Sequence, residues 1–367
     1  MNENNKETIL ENLLKEPLSP WMKGGSHNGE VVLSSRIRLA RNLAGIPFPG
    51  RAGKEELLQI VNQLRPLADT LSSADSSDYA FIDLAEMTPN ERQILVEKHI
   101  ISPQHVSEAE HRAVIIRSDA AVSIMINEED HLRLQVMKGG YDLDGAMAKA
   151  DTVDDSIEGN YRIAFNERLG FLTTCPTNLG TALRASVMLH LPALTLTGHI
   201  CRVVAIASQT GLVVRGLYGE GTEAVGNIFQ ISNQVTLGQT EEEIIDNLKT
   251  VVKQIVDKEK YARELLASDA QNALADRVWR AYAILRHARE ISGREALTKL
   301  SEMRLGIDLG IIPCNCPEIF NELLVKTRPN VLKKITDNYD LSKEEINRVR
   351  SDVIRKEFES KEGFKHV

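Results

Sequence analysis

The stretch that decides both the fold and the chemistry of this chain is Val31-Val32-Leu33-Ser34-Ser35-Arg36-Ile37-Arg38-Leu39. Its last residues alternate between charged and apolar side chains, which predicts a β-strand. On such a strand Arg36 and Arg38 lie on one face, whereas Ile37 and Leu39 lie on the other. Because a guanidinium group binds phosphate through paired N–H donors, this face is a candidate site for a phosphate-bearing ligand.

Three further arginines lie beside an acidic segment, a segment that contains a cysteine and a segment that contains glycines. They are Arg133 after Asn127-Glu128-Glu129-Asp130-His131-Leu132, Arg184 after Cys175-Pro176-Thr177-Asn178-Leu179-Gly180-Thr181, and Arg215 before Gly216-Leu217-Tyr218-Gly219-Glu220. A nucleoside triphosphate carries about four negative charges, which five converging arginines can neutralise. Any one of them taken alone is better explained as a surface arginine in an ordinary ion pair, and spacing does not establish convergence.

The common nucleotide-binding signatures are absent from the sequence. It has no G-x-x-x-x-G-K-[ST] loop, no H-R-D with D-F-G, and no strand-borne G-x-G-x-x-G. If the chain handles ATP, it does so without a P-loop and without a protein-kinase lobe.

The composition indicates a globular chain. Hydrophobic residues make up 42% of the 367 residues, enough for a sizeable core, and the net charge of −8 argues against non-specific nucleic-acid binding. Four cysteines suit a reducing cytosol better than a disulfide scaffold. The stretch from Ala185 to Ala207 includes His190 and Arg202, so it fails as a membrane span. We therefore expect a cytoplasmic protein with no membrane and no direct nucleic-acid partner.

The hydrophobic pattern divides the chain into a sheet-rich α+β part and a helical part. We expect an N-terminal arm over residues 1–20, a catalytic domain over 21–254 and a helical domain over 255–367. Capping boxes at Thr240 and Ser342 predict two helix starts.

Several elements are predicted from residue periodicity. Helices are expected over Glu55–Leu71 and Thr88–His99, and strands over Ala121–Ile126 and Leu132–Met137. The Ala185–Ala207 stretch is predicted to form a buried helix, a break at Pro192 and a buried strand. Its strand end, Arg202–Ala207, is expected to pair with Leu212–Leu217 in a hairpin.

Taken together, the motifs at residues 34–38, 127–133 and 175–184 resemble those of the phosphagen (guanidino) kinases. The segments Arg215–Asn227 and Gln230–Gln234 resemble the bacterial protein arginine kinase (McsB) branch of that superfamily. The resemblance covers about residues 30 to 240. It implies a curved antiparallel sheet flanked by helices, the catalytic fold shared with glutamine synthetase, followed by an all-helical C-terminal domain.

The resemblance also implies a role for each matching residue. Glu129 and Glu220 match the catalytic glutamates, and Cys175 matches the reactive cysteine beside the guanidine. His99 matches a nucleotide-side histidine, although a histidine favoured by the helix dipole at a helix C-terminus explains it equally well. The residues implied to bind ATP are Ser34, Ser35, Arg36, Ile37, Arg38, His99, Arg133, Arg184, Ala185, Ser186, Val187, Met188, Arg215, Gly216, Leu217, Tyr218, Gly219 and Glu220.

The chemistry of a guanidinium independently requires such carboxylates. Its pKa lies far above neutral pH, so the group is protonated and forming an N–P bond requires removal of a proton. Two carboxylates can grip the planar cation, aim one nitrogen and accept the proton. Glu220 is the stronger candidate for the base and Glu129 for the orienting group, while alternation cannot exclude the neighbouring Glu128 and Asp130.

The remaining chemistry-bearing residues have two interpretations each. Cys175, at a predicted helix entry, is either a thiolate that tunes the guanidine or an inert small residue. Mg²⁺ is implied as a bridge between the phosphates, whereas the lone Cys314-Asn315-Cys316 motif is too weak for a protein-held metal.

Two departures from the small-molecule guanidino kinases favour a protein substrate. Arg36 follows only 35 residues, where those enzymes carry a helical domain of about a hundred residues, and this chain has an additional helical tail. We therefore expect an ATP-dependent protein-arginine kinase in protein quality control and heat-shock regulation. The alternatives are a kinase of a small free guanidino compound and a non-catalytic phosphoarginine-binding adaptor.

In the resembled family the helical tail carries an allosteric phosphoarginine pocket with an Arg-Asp-x-x-Arg-Ala motif. The nearest match here is Ile346–Ser351, in which only Arg350 is in register and Arg348 lies nearby. A capped amphipathic helix is the better interpretation. The implied partners are protein substrates, the activator McsA, a Clp unfoldase–protease, a heat-shock repressor and a second copy of the chain.

Overall fold

The computed structural model of the chain describes residues 3–16, 19, 22, 29–216, 224–269, 271–314 and 318–361. By internal contacts the chain divides into two compact units. Unit 1 comprises Met1–Ser26, Ser34–Ser186 and Ser232–Lys249, and unit 2 comprises His27–Leu33, Val187–Ile231 and Thr250–Val367. Each unit combines separate stretches of chain. The domain boundaries expected at residues 20 and 254 remain predictions.

The described strands form one large sheet and one small one. They are β1 (Val32–Arg41), β2 (Tyr79–Asp83), β3 (Ala113–Arg117), β4 (Val122–Ile126), β5 (Leu132–Gly139), β6 (Phe165–Asn166), β7 (Gly170–Phe171), β8 (Leu183–His190), β9 (Leu212–Gly216) and β10 (Ile228–Asn233). The large sheet has the order β2-β3-β4-β5-β1-β8-β10-β9, and β6 pairs with β7. From β2 to β1 every neighbouring pair is antiparallel, and the predicted α+β fold class is confirmed.

Helices fill the remaining chain and dominate its C-terminal third. They are α1 (Glu3–Lys15), α2 (Lys54–Leu64), α3 (Leu67–Asp75), α4 (Pro89–Glu97), α5 (Leu143–Asn160), α6 (Pro192–Leu196), α7 (Ile200–Gln209), α8 (Glu241–Asp269), α9 (Gln271–His287), α10 (Gly293–Asp308), α11 (Glu318–Lys326), α12 (Pro329–Ile335) and α13 (Lys343–Ser360). Among the described residues, no helix has the length and apolarity needed to cross a membrane.

Both predicted capping boxes are present. The hydroxyl of Thr240 accepts from the backbone N–H of Glu243, whose carboxylate accepts in return from the N–H of Thr240, and α8 begins there. The same reciprocal pair links Ser342 with Glu345 at the start of α13. The predicted helix over 55–71 is instead two helices, α2 and α3, because Pro66 cannot supply the N–H that a continuous helix needs.

The prediction for residues 185–207 was wrong in its order. Leu183–His190 is a strand, Pro192 begins a short helix, and Ile200–Gln209 is a second helix rather than half of a hairpin. Val203 and Ala207 are both buried, four residues apart on one helix face. Runs of alanine, valine and isoleucine fit both the helical and the strand period, so tertiary packing decides which structure forms.

A helix also occupies the polar N-terminal segment that was expected to be an arm. Ile9 and Leu13, one helical turn apart on α1, pack into a core cluster with Ala80 and Ile82 of β2. The ammonium of the buried Lys98, just after α4, donates to the carbonyl oxygen of Leu13. Burial lowers the pKa of Lys98 to about 8.

Unit 2 buries an ionic network whose guanidinium and carboxylate groups all have partners. Arg263 on α8 pairs with Glu259 at 2.9 Å and with Asp308 at 3.1 Å, and Arg304 pairs with Asp308 at 2.7 Å. The carboxylate of Glu259 also accepts from the backbone N–H groups of Ala193 and Leu194 at the start of α6. We refer to Glu259, Arg263, Arg304 and Asp308 as the buried ionic network. Mutual pairing makes its burial tolerable.

Candidate active site

Four of the five predicted arginines come together on the sheet of unit 1. Arg36 and Arg38 on β1 lie opposite Met137 and Gln135 of β5, and Arg133 precedes Gln135 by two residues on the same strand. Burial lowers the pKa of Arg38 well below its usual value, and the charges of Arg36, Arg133 and Arg184 lower it further. We call these four residues (Arg36, Arg38, Arg133 and Arg184) the arginine face.

The arginine face includes a buried guanidinium nitrogen that the described residues leave without a partner. The Nε of Arg38 is buried without a hydrogen-bond partner, and Arg38 makes no ion pair with the described residues. Arg36 donates to the neutral hydroxyl of Ser186 at 3.1 Å. Burial, together with the charge of Arg133, lowers the pKa of Arg36 to about 10. Such a cluster of cations is arranged for an anionic ligand rather than for the stability of the fold.

Glu128 is the carboxylate that holds Arg133 in place. Its two oxygens accept from one guanidinium nitrogen of Arg133 at 2.6 and 2.7 Å, and its Oε1 accepts from the hydroxyl of Ser102 at 2.5 Å. Burial by itself would raise the pKa of Glu128, but Arg133 and Ser102 lower it below its usual value. Glu128 is therefore ionised and fully engaged.

Asp130 connects the acidic loop (residues 127–131) to the segment that carries Cys175 (residues 173–178). One of its oxygens accepts from the side-chain amide of Asn42 at 2.6 Å and from the backbone N–H of Thr174 at 2.7 Å. The next residue, His131, is fixed by the N–H of Leu43, which donates to its Nδ1 at 3.0 Å. Asp130 is thus a structural link between two loops, and both neighbours of Glu129 are committed to protein contacts.

Glu129 is the exposed one of the three acidic residues. Its backbone N–H donates to Glu128, but its carboxylate makes no hydrogen bond or ion pair with the described residues. Burial raises its pKa, and the nearby charges of Asp130 and Glu128 raise it further, while Arg133 and Arg184 act in the opposite direction. It therefore lies within electrostatic range of the arginine face. Among residues 128–130, Glu129 is thus the one whose carboxylate is open to a ligand, and its catalytic role remains a prediction.

Cys175 is half-buried, and its hydrogen bonds within the described part of the chain are with its neighbours in sequence. Its sulfur lies 3.1 Å from the hydroxyl of Thr177, and its carbonyl oxygen accepts from the hydroxyl of Thr173. The predicted helix entry was wrong, because Pro176–Asn178 is a single 3₁₀ turn and Arg184 lies on β8. A three-residue turn lacks the aligned peptides of a helix dipole, so the thiolate argument loses that support.

His99 occupies the C-terminal cap of α4. Its backbone is left-handed, with φ 59°, and its N–H and that of Ile100 donate to Val96 and Leu95 in a Schellman arrangement. Its carbonyl oxygen accepts from the side chain of Gln135, the residue opposite Arg38. This places His99 beside the arginine face. Gln135 was missed by the sequence reasoning, although its position two residues after Arg133 on one strand face was a usable signal.

The other residues predicted to bind ATP have varied environments. Ser35 is buried and bonds to the carbonyl oxygen of Gly140 and the N–H of Asp142, and Ile37 is buried away from the arginine face. Arg184 makes long contacts of 3.4 Å with Asn233 and Asn178. The remaining members that the structure describes are Ser34, Ala185, Ser186, Val187 and Met188 on β1 and β8, and the exposed Arg215 with Gly216 at the end of β9. Leu217, Tyr218, Gly219 and Glu220 lie outside the described residues.

In the tail, Arg350 is a structural residue. Its guanidinium is buried and donates to the carbonyl oxygens of Thr327 and Ile291, each at 3.0 Å. Arg348 is exposed, 3.9 Å from Glu290. The role of the two arginines in binding phosphoarginine remains a prediction, and the contacts of Arg350 leave its guanidinium committed to the protein.

The fold that carries the arginine face and the acidic loop is that of the guanidino phosphotransferases, as comparison with known proteins shows. Residues 59–262 match the family model "ATP:guanido phosphotransferase, C-terminal catalytic domain", and residues 271–366 match "Protein-arginine kinase McsB C-terminal domain". The chain is 48% identical over 326 residues to a protein-arginine kinase of Halalkalibacterium halodurans, covering 89% of this chain and 91% of that one. It is 46% identical over 352 residues to a protein-arginine kinase of Desulforamulus reducens, covering 96% and 98%. The chain belongs to the protein-arginine kinase family.

Solved structures of the wider superfamily share the fold. A duplicated taurocyamine kinase from Schistosoma mansoni with bound transition-state-analogue components superposes with a TM-score of 0.59 at 26% identity, over 75% of this chain and 42% of that one. A lombricine kinase superposes with a TM-score of 0.55 at 26% identity, over 75% of this chain and 79% of that one.

Proposed function

We propose that the protein transfers the γ-phosphoryl group of ATP to arginine side chains of other proteins. The observation that carries the proposal is the arginine face around the unpaired Nε of Arg38, within electrostatic range of the exposed Glu129. The cations suit a polyphosphate, and the carboxylate suits the guanidinium of an acceptor. The site thereby offers opposite charges to the two reactants.

On the nucleotide side, the arginine face would bind and orient the triphosphate. Arg38 has a buried donor available, and Arg133 is held by Glu128, so part of the site is ordered before the nucleotide arrives. Guanidinium groups aimed at the transferring phosphoryl group stabilise the charge that spreads over its oxygens.

On the acceptor side, a proton must leave the guanidinium as the N–P bond forms and the bond from the γ-phosphorus to the ADP oxygen breaks. Glu129 can accept hydrogen bonds from the planar cation and aim one nitrogen at phosphorus. Its raised pKa makes it a better proton acceptor than an ordinary glutamate. By resemblance, Glu220 shares this work and is the stronger candidate for the base, and Cys175 tunes the guanidine.

Mg²⁺ is implied by the chemistry of ATP. Within the described part of the chain, no three His, Cys, Asp or Glu side chains cluster as a metal site. The residues present therefore fit an ion that is held mainly by phosphate oxygens and water. When bound there, Mg²⁺ neutralises phosphate charge.

A protein acceptor is favoured over a small one by the relatives. Proteins named protein-arginine kinase match nearly the whole chain at 46–48% identity, and the C-terminal family model covers residues 271–366. A small free guanidino compound is the second candidate, favoured by the 26% identity to kinases named for taurocyamine and lombricine. The proposed cytoplasmic role in stress response and protein quality control rests on the resemblance alone. The proposed assembly into a homodimer rests on the same resemblance. It is also the ground for the proposed partners, which are McsA, the Clp unfoldase–protease and the heat-shock repressor.

The test is to incubate the protein with Mg-ATP and either free arginine or an arginine-bearing unfolded protein, and to analyse the products by mass spectrometry at neutral pH. We expect phosphoarginine on the protein substrate, and this P–N bond should be acid-labile. Transfer to free arginine alone would support the second candidate. No transfer to either, with activators present, would leave a phosphoarginine-binding adaptor.

Glu129→Gln removes the charge at the proposed acceptor side. We expect kcat to fall about 10²-fold, as for loss of a group that orients the acceptor, with little change in the KM for ATP. The matched control is Glu110→Gln, an exposed glutamate whose nearest cation is Lys54 at 3.8 Å. Equal kcat values for the two variants would refute the role of Glu129.

A further inference from the structure

An apolar hairpin projects beside the candidate guanidine site. It consists of residues 165–171, with β6 and β7 as its strands. Phe165 is 57% exposed and Leu169 is 43% exposed. The ring of Phe165 packs edge-on against that of Phe171, its partner across the hairpin, with 5.2 Å between the ring centroids. Large side chains left this exposed on a small hairpin are available to contact another molecule.

The apolar hairpin is held firmly against the loops that carry the candidate catalytic residues. The carbonyl oxygen of Leu172 accepts from the side chain of Asn42, which also donates to Asp130, next to Glu129. Gly170 is left-handed, with φ 72°, and a Cβ there would collide with the backbone of Gly180. Asn42 therefore bridges Leu172, the residue directly after the hairpin, and the acidic loop, which keeps the two in a fixed relation.

The other side of the hairpin adjoins a surface rich in negative charge. The guanidinium of Arg41 lies 3.5 Å from the ring centroid of Phe171 and pairs with Asp154 of α5 at 2.5 Å. Further carboxylates lie within electrostatic range of Arg41 or Asp154. They are Asp151, Asp155, Glu158 and Glu241, which we call the acidic face.

Arg41 does not balance the acidic face. Burial raises the pKa values of Asp151, Glu158 and Glu241, and repulsion from neighbouring carboxylates raises them further, whereas Arg41 opposes the increase. These three carboxylates make no ion pair with another described residue. A cationic partner would relieve this repulsion.

We propose that the apolar hairpin and the acidic face together form a docking surface for an unfolded, basic segment of a substrate protein. The proposal rests on the proposed function and specifies its substrate class. A chain that presents an arginine to Glu129 is cationic there, which matches the acidic face in charge. A large apolar side chain near that arginine would pack on Phe165 and Leu169.

The same geometry explains a preference for unfolded chains. Folded proteins bury most of their large apolar side chains, whereas an unfolded segment exposes apolar and basic residues together. A free arginine carries no apolar side chain to pack on the hairpin. The docking surface would therefore lower the KM for unfolded protein substrates and leave small guanidino compounds unaffected.

The test measures binding without ATP, so that it does not depend on turnover. The probe is a fluorescein-labelled, unstructured 20-residue peptide with one arginine, two lysines and one phenylalanine three residues from the arginine. The protein variant is Phe165→Ser/Leu169→Ser, and the matched control is Ile335→Ser, a 52%-exposed residue of α12 in unit 2. Fluorescence anisotropy gives the Kd.

We expect the Kd to rise about tenfold in the hairpin variant and to stay unchanged in the control. Replacing the peptide phenylalanine by serine should weaken binding to wild type by a similar factor and have little further effect on the hairpin variant. Asp151→Asn/Glu158→Gln should raise the Kd about threefold and reduce its dependence on salt. Equal Kd values for wild type and the hairpin variant, or no binding to wild type, would overturn the docking surface.

Failure of the docking surface and failure of the proposed function give different results. If wild type forms phosphoarginine on an unfolded protein but the hairpin variant has an unchanged Kd and KM, the docking surface is wrong and the function stands. If wild type binds the peptide through the hairpin but phosphorylates no arginine, the function is wrong. Equal KM increases for the peptide and for N-acetyl-arginine amide would also reject docking, because the hairpin would then act on the site itself.

Discussion

The arginine face of unit 1 and the buried ionic network of unit 2 use the same side chain in opposite ways. In the network, Arg263 contacts two carboxylates, and Arg304 shares one of them. On the arginine face, Glu128 pairs with Arg133, and the buried Nε of Arg38 has no hydrogen-bond partner among the described residues. Both regions remove cations from water, but each cation of the network is paired with a carboxylate, whereas Arg38 is paired with none in the described part of the chain.

The difference separates a structural arrangement from a binding one. Breaking a buried pair leaves a charge without a partner and destabilises the fold strongly. A cluster of like charges instead destabilises the protein until an anion binds, so removing one member should cost function rather than stability. Substitutions in the two regions should therefore have opposite signatures.

The largest effect is expected for Arg38→Ala. Loss of an arginine that stabilises a transferring phosphoryl group lowers turnover by about 10³–10⁵-fold. The free energy of unfolding should be unchanged or higher, because a repelled, unpaired cation has been removed. Steady-state kinetics and urea unfolding measure the two quantities, with the exposed Arg51→Ala as control. A clearly destabilised variant that keeps its activity would contradict the comparison.

The next largest effect is expected for Arg263→Ala. Removing this cation leaves the buried Glu259 without a counter-charge and leaves Asp308 paired with Arg304 alone, which should lower the free energy of unfolding by about 3–5 kcal/mol. The control is Arg280→Ala, whose pairing with Asp276 is exposed, and it should unfold like wild type in urea. If the two variants had the same stability, the network would not be structural.

Glu128→Gln tests the ion pair between Glu128 and Arg133 of the arginine face. The amide keeps the shape of the side chain but loses its charge, so Arg133 is no longer held and repulsion within the face increases. We expect a fall of about 10²-fold in kcat/KM for ATP, roughly 2.7 kcal/mol. Ser102→Ala, which removes the second partner of Glu128, should have a smaller effect of the same kind. A change confined to kcat, as predicted for Glu129→Gln, would mean that Glu128 acts on the acceptor instead.

The network also predicts a pH dependence through His190. Burial lowers the pKa of His190 well below its usual value, and Arg263 and Arg304 lower it further. As the pH falls below about 6.5, the unfolded chain takes up the proton first, so the stability of the folded state should fall by up to about 1.4 kcal/mol per pH unit. His190→Gln should weaken this slope in thermal unfolding between pH 7.5 and 5.5. Burial raises the pKa values of Glu259 and Asp308, whose effect has the opposite sign, and they are present in both proteins. Identical slopes would exclude His190 as the source.

The smallest effect is expected for His99→Gly. Glycine adopts the left-handed cap without steric cost, although it also loses more entropy on folding, so we expect a gain of about 0.5 kcal/mol in the free energy of unfolding. The KM for ATP separates the two interpretations of His99. It should rise if the imidazole contacts the nucleotide and stay constant if the residue is only a helix cap.

The parts of the fold predicted from the sequence were those with local causes. The alternation at residues 36–39 placed Arg36 and Arg38 on one face, and the capping boxes at Thr240 and Ser342 marked two helix starts. By contrast, nothing local distinguishes Glu129 from Glu128 and Asp130. Their roles depend on Arg133, Ser102, Asn42 and Thr174, most of which are distant along the chain.

The failures have a physical reason as well. The Ala185–Ala207 stretch fits both periods, so tertiary packing made a strand of its first part and helices of the rest. The segment after Cys175 is a three-residue 3₁₀ turn, and Gly180, two residues beyond it, lies too close to the backbone of Thr236 to carry a side chain. Glu220 lies outside the described residues, so its position remains a prediction.

The bonds made by Asp130 have a thermodynamic consequence for Glu129. Because Asn42, Leu43 and Thr174 immobilise the residues on the C-terminal side of Glu129, and Arg133 immobilises Glu128 before it, its side-chain torsions are what remains to be ordered. The conformational entropy of this segment has already been lost during folding. An incoming guanidinium would thus bind a carboxylate that loses little further conformational entropy. More of the binding energy then remains to lower the activation barrier of phosphoryl transfer.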